Sequence, residues 1–177
     1  QDQLQSLITL YSQGQLQQAL KQANILLQYF PESSVLHNIC GAVYKGLGQL
    51  DVSIEAFNKA LAIRPDYADV YNNMGNTLTI QGKLDEAIEA YNKVLAIRPD
   101  YADAYNNIGN ALKKQAKPEE AIEAYNKALT IQPDYAEAYL NMGITLQEQS
   151  RLEEAIVSYN KALSIRPDYA EIYLNMG

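Results

Sequence analysis

The chain has 177 residues, of which 47% are hydrophobic and 20% charged, a composition typical of globular rather than disordered proteins. Its 21 acidic and 14 basic residues give a net charge of −7, which argues against a nucleic-acid partner, because a basic patch must neutralise the phosphates. No apolar run approaches the roughly 20 residues of a membrane helix, no signal peptide is visible, and the single cysteine suits a reducing, cytoplasmic compartment.

The segment before residue 34 predicts a pair of short helices. The first apolar stripe at helical spacing comprises Leu4, Leu7, Ile8 and Tyr11. The second stripe comprises Leu16, Ala19, Leu20 and Ala23, and its helix ends at Pro31. We expect the turn between them, near Gly14, to be one residue short compared with the turns that follow.

From Ser34 onward the sequence repeats with a period of 34 residues. Proline recurs at positions 31, 65, 99, 133 and 167, and glycine at 41, 75, 109, 143 and 177. Repeats of this length indicate stacked supersecondary units. The predicted units are 1–33 (degenerate), 34–67, 68–101, 102–135, 136–169 and a truncated first helix at 170–177. Positions within a unit are numbered 1 to 34, with Ser34 at position 1.

Each unit contains two helical stripes, shown here for unit 68–101. The first comprises Tyr71, Met74, Gly75 and Leu78, and the second comprises Ala87, Ile88, Tyr91, Val94 and Leu95. The mid-helix glycine costs about 1 kcal/mol relative to alanine. We expect it to permit close approach to the small residues of the second helices, Ala87, Ala121 and Ala155.

A PDYA phrase predicts the start of each first helix. Its aspartates are placed to cap free N–H groups, and an acidic residue three positions later gives a capping-box-like pattern. The aspartates are Asp66, Asp100, Asp134 and Asp168.

These positions resemble the pattern of the tetratricopeptide repeat (TPR) family: an aromatic residue, Leu-Gly, Ala, a second aromatic residue and a closing proline. Unit 68–101 carries it as Tyr71, Met74, Gly75, Leu78, Ala87, Tyr91 and Pro99. Unit 34–67 departs most, with His37, Cys40, Ser53 and Phe57 at four of these positions. The resemblance implies an all-α fold, a right-handed α-solenoid or superhelix of antiparallel helix pairs.

No catalytic constellation, phosphate-binding loop or metal motif accompanies the repeats, so we expect no enzyme, cofactor or metal site. His37 and Cys40 lie three residues apart on one helix, but two ligands are too few for a closed zinc site, and both replace core residues. Most tyrosines fall at positions 4, 24 and 34, which indicates packing rather than a stacking surface.

In the TPR family the face of the first helix opposite the core lines a concave groove, at positions 2, 5, 6, 9, 12 and 13. The candidate peptide-binding residues on this face are Asp69, Asn72, Asn73, Asn76, Asp103, Asn106, Asn107, Asn110, Lys114, Glu137, Asn141 and Asn175.

Position 6 forms a ladder of Asn73, Asn107, Asn141 and Asn175, which resembles the asparagine ladder in the repeats of O-linked N-acetylglucosamine transferases. An asparagine amide offers both an acceptor and donors, so it can bind the N–H and C=O groups of an extended peptide. A structural or solvated role is the alternative. The family's carboxylate clamp for chaperone C-termini needs basic residues at positions 2, 5 and 6, which are absent, so we expect a neutral or basic extended ligand.

We therefore expect a protein–protein interaction scaffold that binds extended peptide. One alternative is a substrate-recruiting TPR region of a larger glycosyl- or sulfotransferase, since the chain starts at Gln1 and stops inside a repeat and we expect it to be a piece of a longer protein. The other is a homotypic assembly module that associates end to end through the uncapped C-terminal helix containing Tyr173 and Met176.

Overall fold

The structure, a computed structural model, describes residues 2–168. Within that range the chain forms α-helices and no strand. The helices are α1 Asp2–Ser12, α2 Leu16–Tyr29, α3 Ser34–Gly46, α4 Leu50–Ile63, α5 Ala68–Ile80, α6 Leu84–Ile97, α7 Ala102–Lys114, α8 Pro118–Ile131, α9 Ala136–Glu148 and α10 Leu152–Ile165. None of these helices is long and apolar enough to cross a membrane.

The helices alternate in the order predicted by the 34-residue period, so the expected all-α repeat of helix pairs is confirmed. A short turn joins the two helices of each pair, which favours an antiparallel arrangement. Contacts divide the chain into two compact units, Gln1–Lys83 and Leu84–Gly177. The division falls between α5 and α6, the two helices of the predicted unit 68–101.

Each compact unit has its own apolar core. In the first unit, the buried core includes Leu7, Ala23, Leu36, Cys40, Val43, Phe57 and Val70. In the second unit, it includes Ala128, Ala138, Leu140, Leu146 and Tyr159. Side chains of consecutive helices share these clusters, because one amphipathic pair cannot bury both of its own apolar stripes.

The first helix pair differs from the prediction. Leu7 is buried and Leu10 packs against the core, whereas Leu4, Ile8 and Tyr11 are exposed. The predicted stripe is therefore wrong by one residue, since the inward face follows the register of the later repeats. The turn is also not shortened, because α2 begins at Leu16 and α4 at Leu50, 34 residues later.

Close packing between the two helices of a pair occurs at the glycine of position 8. A Cβ built on Gly143 would lie 2.5 Å from Cε1 of Tyr159, and Gly109 faces Tyr125 in the same way. Tyr125 and Tyr159 are almost completely buried. The glycine thus makes room for the aromatic ring of position 24, a contact that the sequence analysis did not predict.

The turn between paired helices requires a left-handed backbone conformation at position 15. Gly82 adopts it with φ 77°, and Gly14 and Gly48 have similar values. Ala116 and Ser150 adopt it as well, at φ 59° and 61°. A residue with a Cβ is strained there by about 1–2 kcal/mol. The same backbone hydrogen bond closes the turn with alanine or serine at this position, from Lys117 N–H to Leu112 and from Arg151 N–H to Leu146.

The aspartates of the PDYA phrase do not act as predicted at the described helix starts. The N-cap residues of α5, α7 and α9 are Tyr67, Tyr101 and Tyr135, and none makes a side-chain capping hydrogen bond. The helix begins one residue too late for the aspartate to be the cap. Only α3 has a side-chain cap among these first helices, from Ser33 to the Leu36 N–H at 3.3 Å. Asp168 precedes residues outside the described range.

Replacing Gly41 by alanine tests the glycine–aromatic contact. An added Cβ would collide with the Phe57 ring, while at Gly46, in the same helix, it would meet only the flexible end of Leu16. We expect Gly41→Ala to lower the free energy of unfolding by about 1–2 kcal/mol, because overpacking outweighs the gain in helix propensity. Gly46→Ala should change it by less than about 0.5 kcal/mol or raise it. Urea denaturation followed by circular dichroism measures both, and equal stabilities of the two variants would contradict the contact.

Candidate functional site

The candidate sites are the polar faces of first helices, namely α5 in the first compact unit and α7 and α9 in the second. Glycine and aromatic packing occupies another face of α7 and α9, at Gly109 and Gly143. Among the predicted residues, those that are exposed are Asp69, Asp103, Lys114 and Glu137. Those that are half-buried are Asn72, Asn73, Asn76, Asn107, Asn110 and Asn141. Asn175 lies outside the described residues.

Two asparagines of the predicted ladder bridge consecutive repeats. Asn73 on α5 donates a hydrogen bond from Nδ2 to Oδ1 of Asn38 on α3, over 3.1 Å. Asn141 on α9 donates in the same way to Oδ1 of Asn106 on α7, also over 3.1 Å. One bridge lies in each compact unit, and both join a position-6 residue to the position-5 residue of the preceding repeat. The asparagines therefore have a structural function that the sequence analysis left as an alternative.

Asn106 departs from its predicted location. Its side chain is completely buried, and its Nδ2 has no hydrogen-bond partner of good geometry within the described structure. The equivalent position of the next repeat holds Leu140, which is also buried. A ligand on the surface therefore cannot reach Asn106 directly. A buried amide N–H group without a hydrogen-bond partner lowers the free energy of unfolding by about 1–3 kcal/mol. Asparagine is therefore expected to stabilise this position less than leucine, which occupies the equivalent position of the next repeat.

Asp103 and Tyr135 complete the surroundings of Asn106. Burial raises the pKa of the Tyr135 hydroxyl, and its hydrogen bond to Asp103 and the carboxylate charge raise it further. The neighbouring Asn106 side chain lowers the pKa of the same hydroxyl, which is the smallest of these effects. The hydroxyl therefore stays protonated at neutral pH.

Other polar groups of this face are held by neighbours in the second compact unit. Asn110 Oδ1 accepts a hydrogen bond of 2.8 Å from the Tyr125 hydroxyl, whose pKa is raised mainly by burial. Lys113 forms an ion pair of 3.7 Å with Glu148 on α9. These contacts fix the orientation of the side chains beside the exposed Lys114.

A second set of inter-repeat contacts was missed by the sequence analysis. Glutamines at position 14 donate from Nε2 to an acidic residue at position 18 of the preceding repeat, over 2.8–2.9 Å. The pairs are Gln81 with Asp51, Gln115 with Asp85, and Gln149 with Glu119. Recurrence of glutamine and acid at a separation of 30 residues was the available signal. These pairs lie at the helix turns, where they link consecutive repeats.

The two residues of α3 that were considered as metal ligands, His37 and Cys40, have different surroundings. Cys40 is buried in the core, while the His37 ring nitrogen Nε2 is 2.8 Å from the carbonyl oxygen of Pro31. Among the described residues, no group of three or more His, Cys, Asp or Glu side chains is placed to hold a metal ion.

Comparisons with known proteins agree with this architecture. A family model described as "TPR repeat" matches residues 41–79 and 75–115, and one described as "Tetratricopeptide repeat" matches residues 100–168. No curated protein sequence matches the chain significantly.

Several solved structures share the fold. MamA from Desulfovibrio magneticus RS-1 is 19% identical with a TM-score of 0.82, over 94% of each chain. PilF from Pseudomonas aeruginosa is 22% identical with a TM-score of 0.86, over 97% of this chain and 78% of that one. YrrB, described as a TPR protein with an unusual peptide-binding site, is 21% identical with a TM-score of 0.74, over 96% and 87%. At identities this low, the structural similarity establishes the fold alone, which is a helical-repeat solenoid.

Alkylation of Cys40 tests the packing of α3. Burial raises the pKa of its thiol from 9.0 to about 11, against the opposing charge of Lys59. Because the folded pKa is raised, the neutral thiol stabilises the fold fully below about pH 9, and this contribution is lost as the pH rises to about 11. At pH 9 we expect iodoacetamide to react about 50-fold more slowly with the folded chain than with the chain unfolded in urea, from ionisation alone. Equal rates, measured by mass spectrometry, would contradict the buried location.

Proposed function

Because the chain belongs to the tetratricopeptide repeat family, we propose that it binds an extended, neutral or basic peptide segment of a partner protein on the polar face of its first helices. TPR repeats mark the chain as a protein–protein interaction scaffold. The peptide character of the ligand and the face that binds it are the parts that we propose.

The observation that carries this proposal is the arrangement of the two asparagine bridges. Asn73 and Asn141 are half-buried, and one hydrogen bond to the preceding repeat holds each amide in place. A side chain that is already ordered loses little conformational entropy when a ligand binds, so its hydrogen bonds contribute more to affinity. An extended peptide offers a hydrogen-bonding group on each residue, which suits amides that recur with the repeat.

Charge on the same face favours a basic ligand. The first helices α5, α7 and α9 each carry an exposed acidic residue at position 2, namely Asp69, Asp103 and Glu137. The ion pair with Glu148 offsets Lys113, and Lys114 is exposed. Complementary charge raises the association rate and the specificity more than the affinity. We therefore expect binding of lysine-containing segments to weaken as the salt concentration rises.

The fold itself is compatible with such a function. YrrB, which shares the fold, is described as having an unusual peptide-binding site. That description supports peptide binding on a TPR scaffold of this type, while the residues of our candidate face rest on this chain alone.

Two other functions stay predictions. One is the recruitment of substrates for a larger transferase. End-to-end self-association depends on Tyr173 and Met176, which lie outside the described residues.

Alanine substitution of the ladder tests the proposal. A ligand is first selected from a displayed library of extended peptides, and its dissociation constant is measured by fluorescence anisotropy. We expect the triple variant Asn73→Ala, Asn107→Ala, Asn141→Ala to bind at least about 10-fold more weakly, since each lost hydrogen bond contributes about 0.5–1.5 kcal/mol.

The matched control replaces three exposed asparagines of the second helices, Asn92, Asn126 and Asn160, by alanine. This control should bind like the unmodified chain. Because Asn73 and Asn141 also bridge repeats, thermal denaturation must show that the ladder variant is folded at the temperature of the binding measurement. Unchanged affinity of a folded ladder variant refutes the proposed face.

A further inference from the structure

The two asparagine bridges have a direction. In each bridge the asparagine of position 6 is the donor. Nδ2 of Asn73 donates to Oδ1 of Asn38, and Nδ2 of Asn141 donates to Oδ1 of Asn106. This bond uses one of the two Nδ2 protons. Within residues 2–168 no hydrogen bond is donated to Oδ1 of Asn73 or Asn141, so no described residue uses a lone pair of either oxygen. The accessible part of each amide is therefore richer in acceptors than in donors.

The direction in the second compact unit follows from the hydrogen bond itself. Asn106 Oδ1 accepts from Nδ2 of Asn141 over 3.1 Å, so the Oδ1 of Asn141, on the other side of its planar amide, is directed away from Asn106. Asp103 and Tyr135 lie beside Asn106 in this region.

The buried Asn106 is explained by this arrangement. Leucine fits the same position of the next repeat, where Leu140 is buried. Asparagine there leaves an Nδ2 without a hydrogen-bond partner of good geometry, which is unfavourable for folding. What asparagine provides and leucine cannot is an acceptor for Asn141.

Taking the proposed function as given, we propose that Asn38 and Asn106 are positioning residues that turn Oδ1 of Asn73 and Asn141 toward the ligand, so that this face selects hydrogen-bond donors. The exposed carboxylates of Asp69, Asp103 and Glu137 add further acceptors. The ligand class is therefore an extended segment with free backbone N–H groups and amine side chains. Proline-rich or N-methylated segments, which lack N–H groups, are excluded by the same chemistry.

Two small amides test donor selection without any peptide. N-methylacetamide carries one N–H and one C=O, like a peptide group, while N,N-dimethylacetamide carries only the C=O. Asparagine is labelled with ¹³C at Cγ, and its chemical shift is followed while each amide is added. We expect the shifts of Asn73 and Asn141 to respond about threefold or more strongly to N-methylacetamide. Asn126, exposed on α8, is the reference and should respond to both amides as an ordinary surface asparagine.

Two variants separate positioning from direct contact. Asn106→Leu should abolish the preference at Asn141 and leave that of Asn73 unchanged, and Asn38→Ala should do the reverse. Leucine is compatible with the fold at the equivalent position, and Asn38 is only half-buried, so both variants should keep the circular dichroism spectrum of the unmodified chain. A merely structural role would change stability without removing the preference of one asparagine alone.

Equal responses to the two amides, no response to either, or a preference that persists in Asn106→Leu and Asn38→Ala would each overturn donor selection. These outcomes are distinct from failure of the proposed function. A chain that binds a selected peptide but treats the two amides alike refutes donor selection alone. A chain that binds no extended peptide refutes the proposed function, whatever its response to the amides.

Discussion

The fold depends on contact between a glycine of the first helix and an aromatic ring of the second. At Gly41, Gly109 and Gly143, the space that a Cβ would occupy is filled by the ring of Phe57, Tyr125 or Tyr159. Overlap of this kind leaves no freedom to rotate the first helix about its axis. One face of the first helix packs against the second helix, so the polar positions of the first helix lie mainly on its other side. A single steric constraint, repeated with the sequence period, thus decides which residues are available for a ligand.

The asparagines on the polar side of the first helix have two opposing effects on the fold. They weaken the isolated helix, because the asparagine amide competes for backbone groups. In return, Asn73 and Asn141 join consecutive repeats, and each keeps an oxygen that no described residue uses. The polar face is thus ordered before a ligand arrives, and its order comes from the contacts between repeats.

The sequence predicts the helix pairs well because proline, glycine and tyrosine recur at one period, which only a stacked repeat explains. It fails in the first pair because Leu4, Ile8 and Tyr11 satisfy helical spacing as well as the true inward stripe does, and only packing against the next repeat chooses between them. The burial of Asn106 and the pairing of Gln115 with Asp85 were not predicted for a related reason. Both depend on how much of a side chain is buried by the neighbouring repeat. The repeat period alone does not determine that burial.

Pairing of asparagines across repeats is the central claim, and a double-mutant cycle on Asn38 and Asn73 measures it most directly. Both residues are half-buried, so neither alanine substitution leaves a fully buried polar group. Free energies of unfolding of Asn38→Ala, Asn73→Ala and the double variant are obtained from urea denaturation. A coupling energy of about 0.5–1.5 kcal/mol is predicted, as for one hydrogen bond. Effects that add to within about 0.3 kcal/mol would contradict the pairing and, with it, the orientation of the polar face.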